Sequence, residues 1–457
     1  MFIRSISIAC LLYLLLPCLL FLVGWVQAWV AWPVGLGLVA AVLWVARQCP
    51  ARPLRWSGAG ALRVTILLLL GALWVLTTGP WGLVEQSGDA TVRNAIYAAL
   101  VRDAWPLTVA GEPFVYYLGF WLPPALAAKL GAPAEAALAV WMLAGVWLAL
   151  LAVACGQGTR RALVFLLILL LLGDMLNWAN RVYYKLFDGE LQEWALFLDL
   201  HFTPSCVQLR NTFNHYLAPL VLLGVMAGKL LPARFGLLGV ALVGICSPLA
   251  AAALLPLVLL RGGWKLVNLP TVAGVVYAAL PLLYLAGGTG GQLAFMRPEG
   301  DCSLAALSGG QLWLRYAVQL LLVAGPALLF LWRWRRTAWF ATALLLVTTL
   351  PLLWVGLWNN EFIYKGAAVM WFCLAWLYAA AWCHAKARRK ALLALFILLS
   401  ASDAYGQLMG ALKSFSLHPE IMQQNIRCEW QGSLHQPRDP RSAQFKGSPL
   451  LPELFKF

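Results

Sequence analysis

The sequence predicts an all-α polytopic membrane protein. Of its 457 residues, 62% are hydrophobic and 11% charged, whereas a soluble globule carries roughly a quarter of its residues as charges. Apolar runs of about 20 residues recur along nearly the whole chain, each long enough to cross a bilayer as a helix. Alternation of the strand type is missing, so helices and not a barrel do the spanning.

The elements follow from these runs and from where the charges fall. The first run, Ser5 to Gly24, follows Arg4 in the manner of a signal sequence. It has no small-residue cleavage site and leads straight into a second span, so it reads as a retained helix. Basic residues gather in short inter-span clusters: Arg47, Arg52, Arg55 and Arg63; Arg160 and Arg161; Lys229 and Arg234; Arg261 and Lys265; Arg333, Arg335 and Arg336; Lys386, Arg388, Arg389 and Lys390. Carboxylates occupy the alternate loops: Glu85, Asp89, Asp103 and Glu112; Asp188, Glu190, Glu193 and Asp199; Glu299 and Asp301. This is the positive-inside pattern. The net charge of +15 is therefore read as membrane orientation and not as a nucleic-acid surface. A multi-pass protein of a bacterial inner membrane is expected.

Parity then fixes two irregular segments. Spans near 6–24, 26–46 and 64–80 take a cytoplasmic N-terminus to an outside loop at 81. Arg160 and Arg161 must lie inside, yet two apolar segments intervene, Phe114–Leu130 and Ala136–Cys155. The first holds Gly119, Pro123, Pro124 and Lys129 behind an aromatic front, Tyr116 and Tyr117. It is expected to lie at the interface as a juxtamembrane helix without crossing. Between Arg234 and Arg261 the apolar run is interrupted at Cys246-Ser247-Pro248. Two short helices meeting there would return Arg261 and Lys265 to the inside, each only about 18–20 Å long and too short to span alone. Such a break needs protein or a wet cavity around it. A single Pro-kinked span is the alternative.

Further spans near 162–180, 214–231, 268–287, 313–333, 338–357, 363–384 and 391–409 bring the expected total to about thirteen. The organisation is an N-terminal hairpin (1–63), a module (64–265) with the extracytoplasmic loop 81–135, a C-terminal bundle (266–409) and an outside tail (410–457).

Chemistry-bearing residues concentrate on the outer side. Asp89 follows a span and is itself followed by Arg93, Tyr97 and Trp105. The loop 181–215 holds Arg181, Lys185, Asp188, Glu190, Glu193, Asp199, His201, Cys206, Arg210, Asn214 and His215. Glu361 and Lys365 enter the span at 363 four residues apart, a spacing at which they neutralise one another or, facing a bundle, mark a substrate path. Asp174, followed by Asn177 and Asn180, is a further intramembrane polar site. The 24 tryptophans read mainly as interfacial anchors, with Trp105 and Trp358 as candidates for stacking on a sugar. Of ten cysteines, Cys206, Cys302 and Cys428 fall outside, where two can bond, Cys302 with Cys428 being one choice. No CxxC, HExxH, P-loop or nucleophile-elbow motif occurs, and Gly287-Gly-Thr-Gly-Gly-Gln292 follows no strand.

Asp89 just after a span, the opening Pro113-Phe-Val-Tyr-Tyr-Leu-Gly119, the start Leu130-Gly-Ala-Pro-Ala-Glu135 and the span ending in Arg160-Arg161 together resemble the amino-terminal module of GT-C glycosyltransferases. The broken pair around Cys246-Ser247-Pro248 is similar to that superfamily's short-helix pair. The resemblance covers roughly residues 64–265. It implies transfer of a sugar from a polyprenyl-phosphate or polyprenyl-diphosphate carrier to an extracytoplasmic acceptor, with Asp89 at the position of the family's first-loop Asp.

The residue types suit that reaction. Displacing a lipid phosphate from a sugar carbon needs a base for the acceptor's proton, the role of Asp89. It also needs cations for the departing phosphate, for which Arg93, Arg181, Lys185, Arg210 and Lys365 qualify, with His215, Tyr116, Tyr117 and Glu361 as further substrate contacts. No cofactor is specified, and a divalent metal stays open. Asp89 and Arg93 can instead form a helix-turn salt bridge, and Arg181 and Lys185 can merely anchor a helix end. A lipid or glycan flippase fits broken helices and intramembrane charges too, and a lipid-linked polymer ligase would use the outward Arg and His without Asp89.

Overall fold

The computed structural model describes residues 3–54, 56–79, 84, 89–109, 111–173, 202–288, 292–295, 309–356, 360–415 and 451–457. Among them lie seventeen α-helices and two small two-stranded ribbons. The chain is a multi-pass, all-helical membrane protein. Among the described residues, eight helices are long and apolar enough to cross a bilayer: Ile3–Trp25 (α1), Ala28–Gln48 (α2), Gly58–Leu76 (α3), Ala134–Gln157 (α6), Pro248–Leu266, Leu269–Ala286 (α12), Tyr316–Trp334 within and beyond α13 (Gly309–Leu331), and Glu361–His384 (α15). A ninth arises if the pair Ala387–Leu399 (α16) and Ser402–Ser414 (α17), bent by 54°, is one span.

Among the described residues, two of the expected thirteen spans are shorter than a bilayer crossing. The span expected at 214–231 is the 15-residue α9, Phe213–Ala227, and that at 338–357 is the 12-residue α14, Ala338–Thr349, extended by a 3-10 turn. At 1.5 Å per residue such helices fall short of a bilayer about 30 Å thick. The span at 162–180 is seen as α7, Thr159–Leu171; the structure does not describe 174–201.

The interrupted run at Cys246 is a hairpin. Gly236–Gly244 (α10) and Pro248–Gly262 (α11) flank Ile245-Cys246-Ser247. A Cβ on Gly236 would stand 2.7 Å from Val258 Cγ1, and Asn268 donates to the carbonyls of both Arg234 (2.7 Å) and Lys265 (3.0 Å). The two helices are thus antiparallel, with Arg234, Arg261 and Lys265 at one end, and a single kinked span is ruled out. The lengths correct the expectation of two equal halves: α11 continues to Leu266 as 19 residues and is long enough to cross by itself.

The juxtamembrane expectation also needs correction. After the ribbon Thr108–Val109 and Glu112–Pro113, residues 114–130 form a loop, a 3-10 turn and the 8-residue α5, Leu122–Lys129. Such a helix, about 12 Å long, is too short to cross. Yet residues 118–125 are buried in protein and do not lie along a lipid surface. The cause is Gly119, whose N–H donates to Ile245 O at 3.3 Å and whose missing Cβ would come within 2.7 Å of Ile245 Cγ2. The segment plugs one end of the bundle on the hairpin tip.

The core centres on α15, of which 89% is buried over its apolar window, and on α9, buried along its whole length. α6 crosses α9 at backbone contact: a Cβ on Gly224 would meet Ala149 O at 2.7 Å, and one on Gly156 would collide with the backbone of Gly228. Small residues at i and i+4 permit this approach where side chains would hold helices 8–10 Å apart.

Polarity divides the bundle's two ends. Arg4 donates to Arg47 O (3.1 Å), Arg234 to Gln48, Arg261 to Met226 O (3.1 Å), Gln157 to Ala227 O (3.0 Å) and Arg389 to Phe330 O (2.7 Å). These contacts gather the basic clusters at one end. At the other, Leu451–Phe457 lies along the α1–α2 turn, with Gln27 N–H donating to Leu454 O at 2.9 Å and Lys456 N–H to Trp25 O at 3.0 Å.

Candidate functional site

The end opposite the basic clusters is built from four segments that are distant in sequence. Asn360 caps α15: its side chain accepts from the N–H groups of Phe362 (3.1 Å) and Ile363 (3.3 Å) and donates to Leu350 O (3.3 Å). A buried Asn in this role starts the helix and satisfies N–H groups that would otherwise be orphaned. It sets Glu361 and Lys365 in the first turns of α15. α9 begins with Phe213-Asn214-His215, and the hairpin tip Ile245-Cys246-Ser247 packs beside it. The 114–118 loop is held from above by Tyr284 of α12, whose hydroxyl donates to Phe114 O at 2.6 Å and accepts from Tyr116 N–H at 3.3 Å.

Lys365 is the centre of this arrangement. It is 4% exposed. Its Nζ donates to Tyr117 Oη at 2.5 Å, lies 4.5 Å from that ring's centroid and is ion-paired with Glu361. The Glu361 side chain is 40% exposed, so the pair runs from solvent into the bundle. Screening at Glu361 weakens what the pair adds to stability. An ammonium has three donors; among the described residues these two contacts leave one N–H for a ligand.

Aromatic rings line the cation. Tyr117 meets His215 edge-on at 4.4 Å between centroids and Tyr116 at 3.9 Å. His215 is 1% exposed. Burial, with Glu361 adding, pushes the Tyr117 hydroxyl well above its ordinary range; the hydrogen bond with Tyr116 and then the charge of Arg93 pull the other way. The hydroxyl is therefore a neutral hydrogen-bonding group at physiological pH. Arg93 sits on Asp89–Arg102 (α4), close enough for its charge to act on both tyrosines.

The structure thus brings together Arg93, Tyr116, Tyr117, His215, Glu361 and Lys365. Asp89 is the first residue of α4, one helical turn before Arg93. Arg210 goes elsewhere: on Ser205–Asn211 (α8) it donates to Gln407 of α17 at 2.8 Å, away from the Lys365 cluster. Arg181, Lys185, Asp174, Trp358, Cys302 and Cys428 lie outside the described residues; Cys206 is a buried free thiol. Trp105 is not displayed for stacking. It packs 5.5 Å from Trp25 and donates to Leu100 O at 2.9 Å. Among the described residues no group of three or more His, Cys, Asp or Glu is placed to hold a metal ion.

Sequence reasoning missed Tyr284 and Ser247. Tyr284 reads as one more aromatic in a span, and its loop partners lie 168 and 170 residues away. Ser247 was seen only as a helix break. Its hydroxyl and both amide atoms of Asn214 are buried with no partner among the described residues, a cost of about 1–3 kcal/mol per group unless a ligand or water pairs with them. Such unpaired polar groups suit an oxygen-rich ligand. No family model, no curated protein and no solved structure matches this chain.

Proposed function

We propose that this protein is a GT-C-like glycosyltransferase, transferring a sugar from a polyprenyl-phosphate carrier to an extracytoplasmic acceptor. The observation that carries the reading is Lys365, a buried ammonium held by Tyr117 and Glu361 in an end of the bundle that also gathers Arg93 and His215. A cation fixed in a low-dielectric pocket stabilises charge that develops on a leaving group. The acceptor hydroxyl attacks the sugar's anomeric carbon as the bond from that carbon to the phosphate oxygen breaks. The polyprenyl phosphate leaves with the electron pair, next to Lys365 and Arg93. The acceptor's proton passes to Asp89, giving inversion at the sugar carbon. The neutral Tyr117 hydroxyl orients the phosphate. Glu361 balances Lys365 when no phosphate is bound.

The test uses protein in liposomes with a panel of polyprenyl-phosphate sugars and envelope glycan, lipid or protein acceptors, with release of polyprenyl phosphate as the readout. Asp89→Asn is expected to lower release at least 100-fold, the lower bound of the usual range of about 100- to 10,000-fold for general-base removal, while carrier binding persists. Full release by Asp89→Asn removes the base assignment. No release by the wild-type protein with any carrier rejects the reading.

A further inference from the structure

The basic end of the bundle holds an arginine-lined cavity that the sugar-transfer reading does not use. α6 ends at Gln157 and α7 begins at Thr159, with Gly158 alone between them. Gly158 has φ 87° and ψ 149°, a region essentially reserved for glycine. This one-residue turn aims the first turn of α7 into an open cavity of about 410 Å³ lined by Arg63, Gln157, Thr159, Arg160, Arg161 and Cys383.

The charge there is unbalanced. Arg161 is fixed, its guanidinium 4.0 Å over the Trp376 ring and donating to Gln157 Oε1 at 3.1 Å. Arg63 and Arg160 have no hydrogen bond or ion pair among the described residues. No carboxylate lines the cavity, and the sequence has none between Glu135 and Asp174 or before Glu85. α7 has no side-chain cap, so its first N–H groups add partial positive charge to the same space. Three guanidiniums and a helix start, with no carboxylate among the described lining residues, favour a phosphate group.

The neighbouring surface identifies the source of that phosphate. On the face of α3 next to the one that carries Arg63, Leu62 (62%), Ile66 (37%), Leu69 (64%) and Leu73 (52%) are exposed. Their spacing places them along one side of the helix, an apolar ridge that starts one residue from the cavity-lining Arg63. A soluble anion has no use for it, whereas a lipid with its headgroup in the cavity lays an acyl chain along it. We propose that this cavity binds the phosphodiester headgroup of an anionic phospholipid from the leaflet at the basic end.

Cys383 provides the probe, since it lines the cavity and is exposed. Its alkylation rate is measured in nanodiscs of phosphatidylcholine and of phosphatidylcholine with phosphatidylglycerol. Phosphatidylglycerol is expected to slow alkylation at least threefold, and Arg63→Gln with Arg160→Gln to remove the slowing. Arg160→Gln alone, at an exposed position, serves as a variant that keeps the fold and is expected to halve the protection or more. Equal rates in both lipids overturn the proposal, as does protection that survives in the variants. Protection by millimolar inorganic phosphate in phosphatidylcholine discs, equal to that by the lipid, overturns the lipid assignment in favour of a soluble anion.

Discussion

Replacing Lys365 with methionine is expected to weaken binding of a polyprenyl phosphate by roughly 10- to 100-fold and to stop transfer. The size follows from a hydrogen bond to a charged group, worth about 1.5–3 kcal/mol, at about 1.4 kcal/mol per factor of ten. Methionine keeps the length and apolar stem of the side chain, so packing in α15 survives. Glu361, 40% exposed, is rehydrated where a buried partner would be stranded. Glu361→Gln has the opposite sign. It leaves the buried Lys365 without its counter-charge, so a phosphate takes that place and binding is expected to tighten a few-fold. Titration of the protein in nanodiscs with a fluorescent polyprenyl phosphate measures both. Equal weakening by the two substitutions would show a structural ion pair and not a phosphate site.

Gly156→Ala is expected to destabilise the bundle by about 3 kcal/mol, the high end for overpacking in a close-packed interior. The added methyl meets the Gly228 backbone, which cannot rotate aside as a side chain would. α6 and α9 would have to separate, and α9 carries Asn214 and His215 into the site. Thermal unfolding in detergent checks this, with Gly37→Ala, where a Cβ meets nothing within 4 Å, as the control. An unchanged melting temperature for Gly156→Ala would mean that the two helices are not in backbone contact.

Much of this was legible in the sequence because it rests on local pattern or on charge parity. Apolar length gives the helices, and alternation of basic clusters demanded both the hairpin at Cys246-Ser247-Pro248 and a segment 114–130 that does not cross. The Glu361–Lys365 pair is readable from its i,i+4 spacing alone. What the pattern does not carry is long-range pairing. Lys365 meets Tyr117 across 248 residues of chain, and Arg210 turns to Gln407 across 197; neither leaves a local trace. Burial was misjudged where small residues decide it. Gly119 reads as a turn residue, yet its lack of a side chain lets the plug close on Ile245. Helix length was also overestimated, since apolar composition continues past the ends of α9 and α14 into turns.

The central claim is that the Lys365 site opens on the side of the membrane opposite the basic clusters, where a lipid-linked sugar and an extracytoplasmic acceptor meet. Single cysteines replacing Ala132, in the exposed turn after α5, and Arg336, exposed at the basic end, test it in a background without native cysteines. An impermeant maleimide applied to intact cells is expected to label position 132, and position 336 only after the membrane is opened. Labelling of 336 from outside, with 132 protected until lysis, would place the site on the cytoplasmic side and contradict the account.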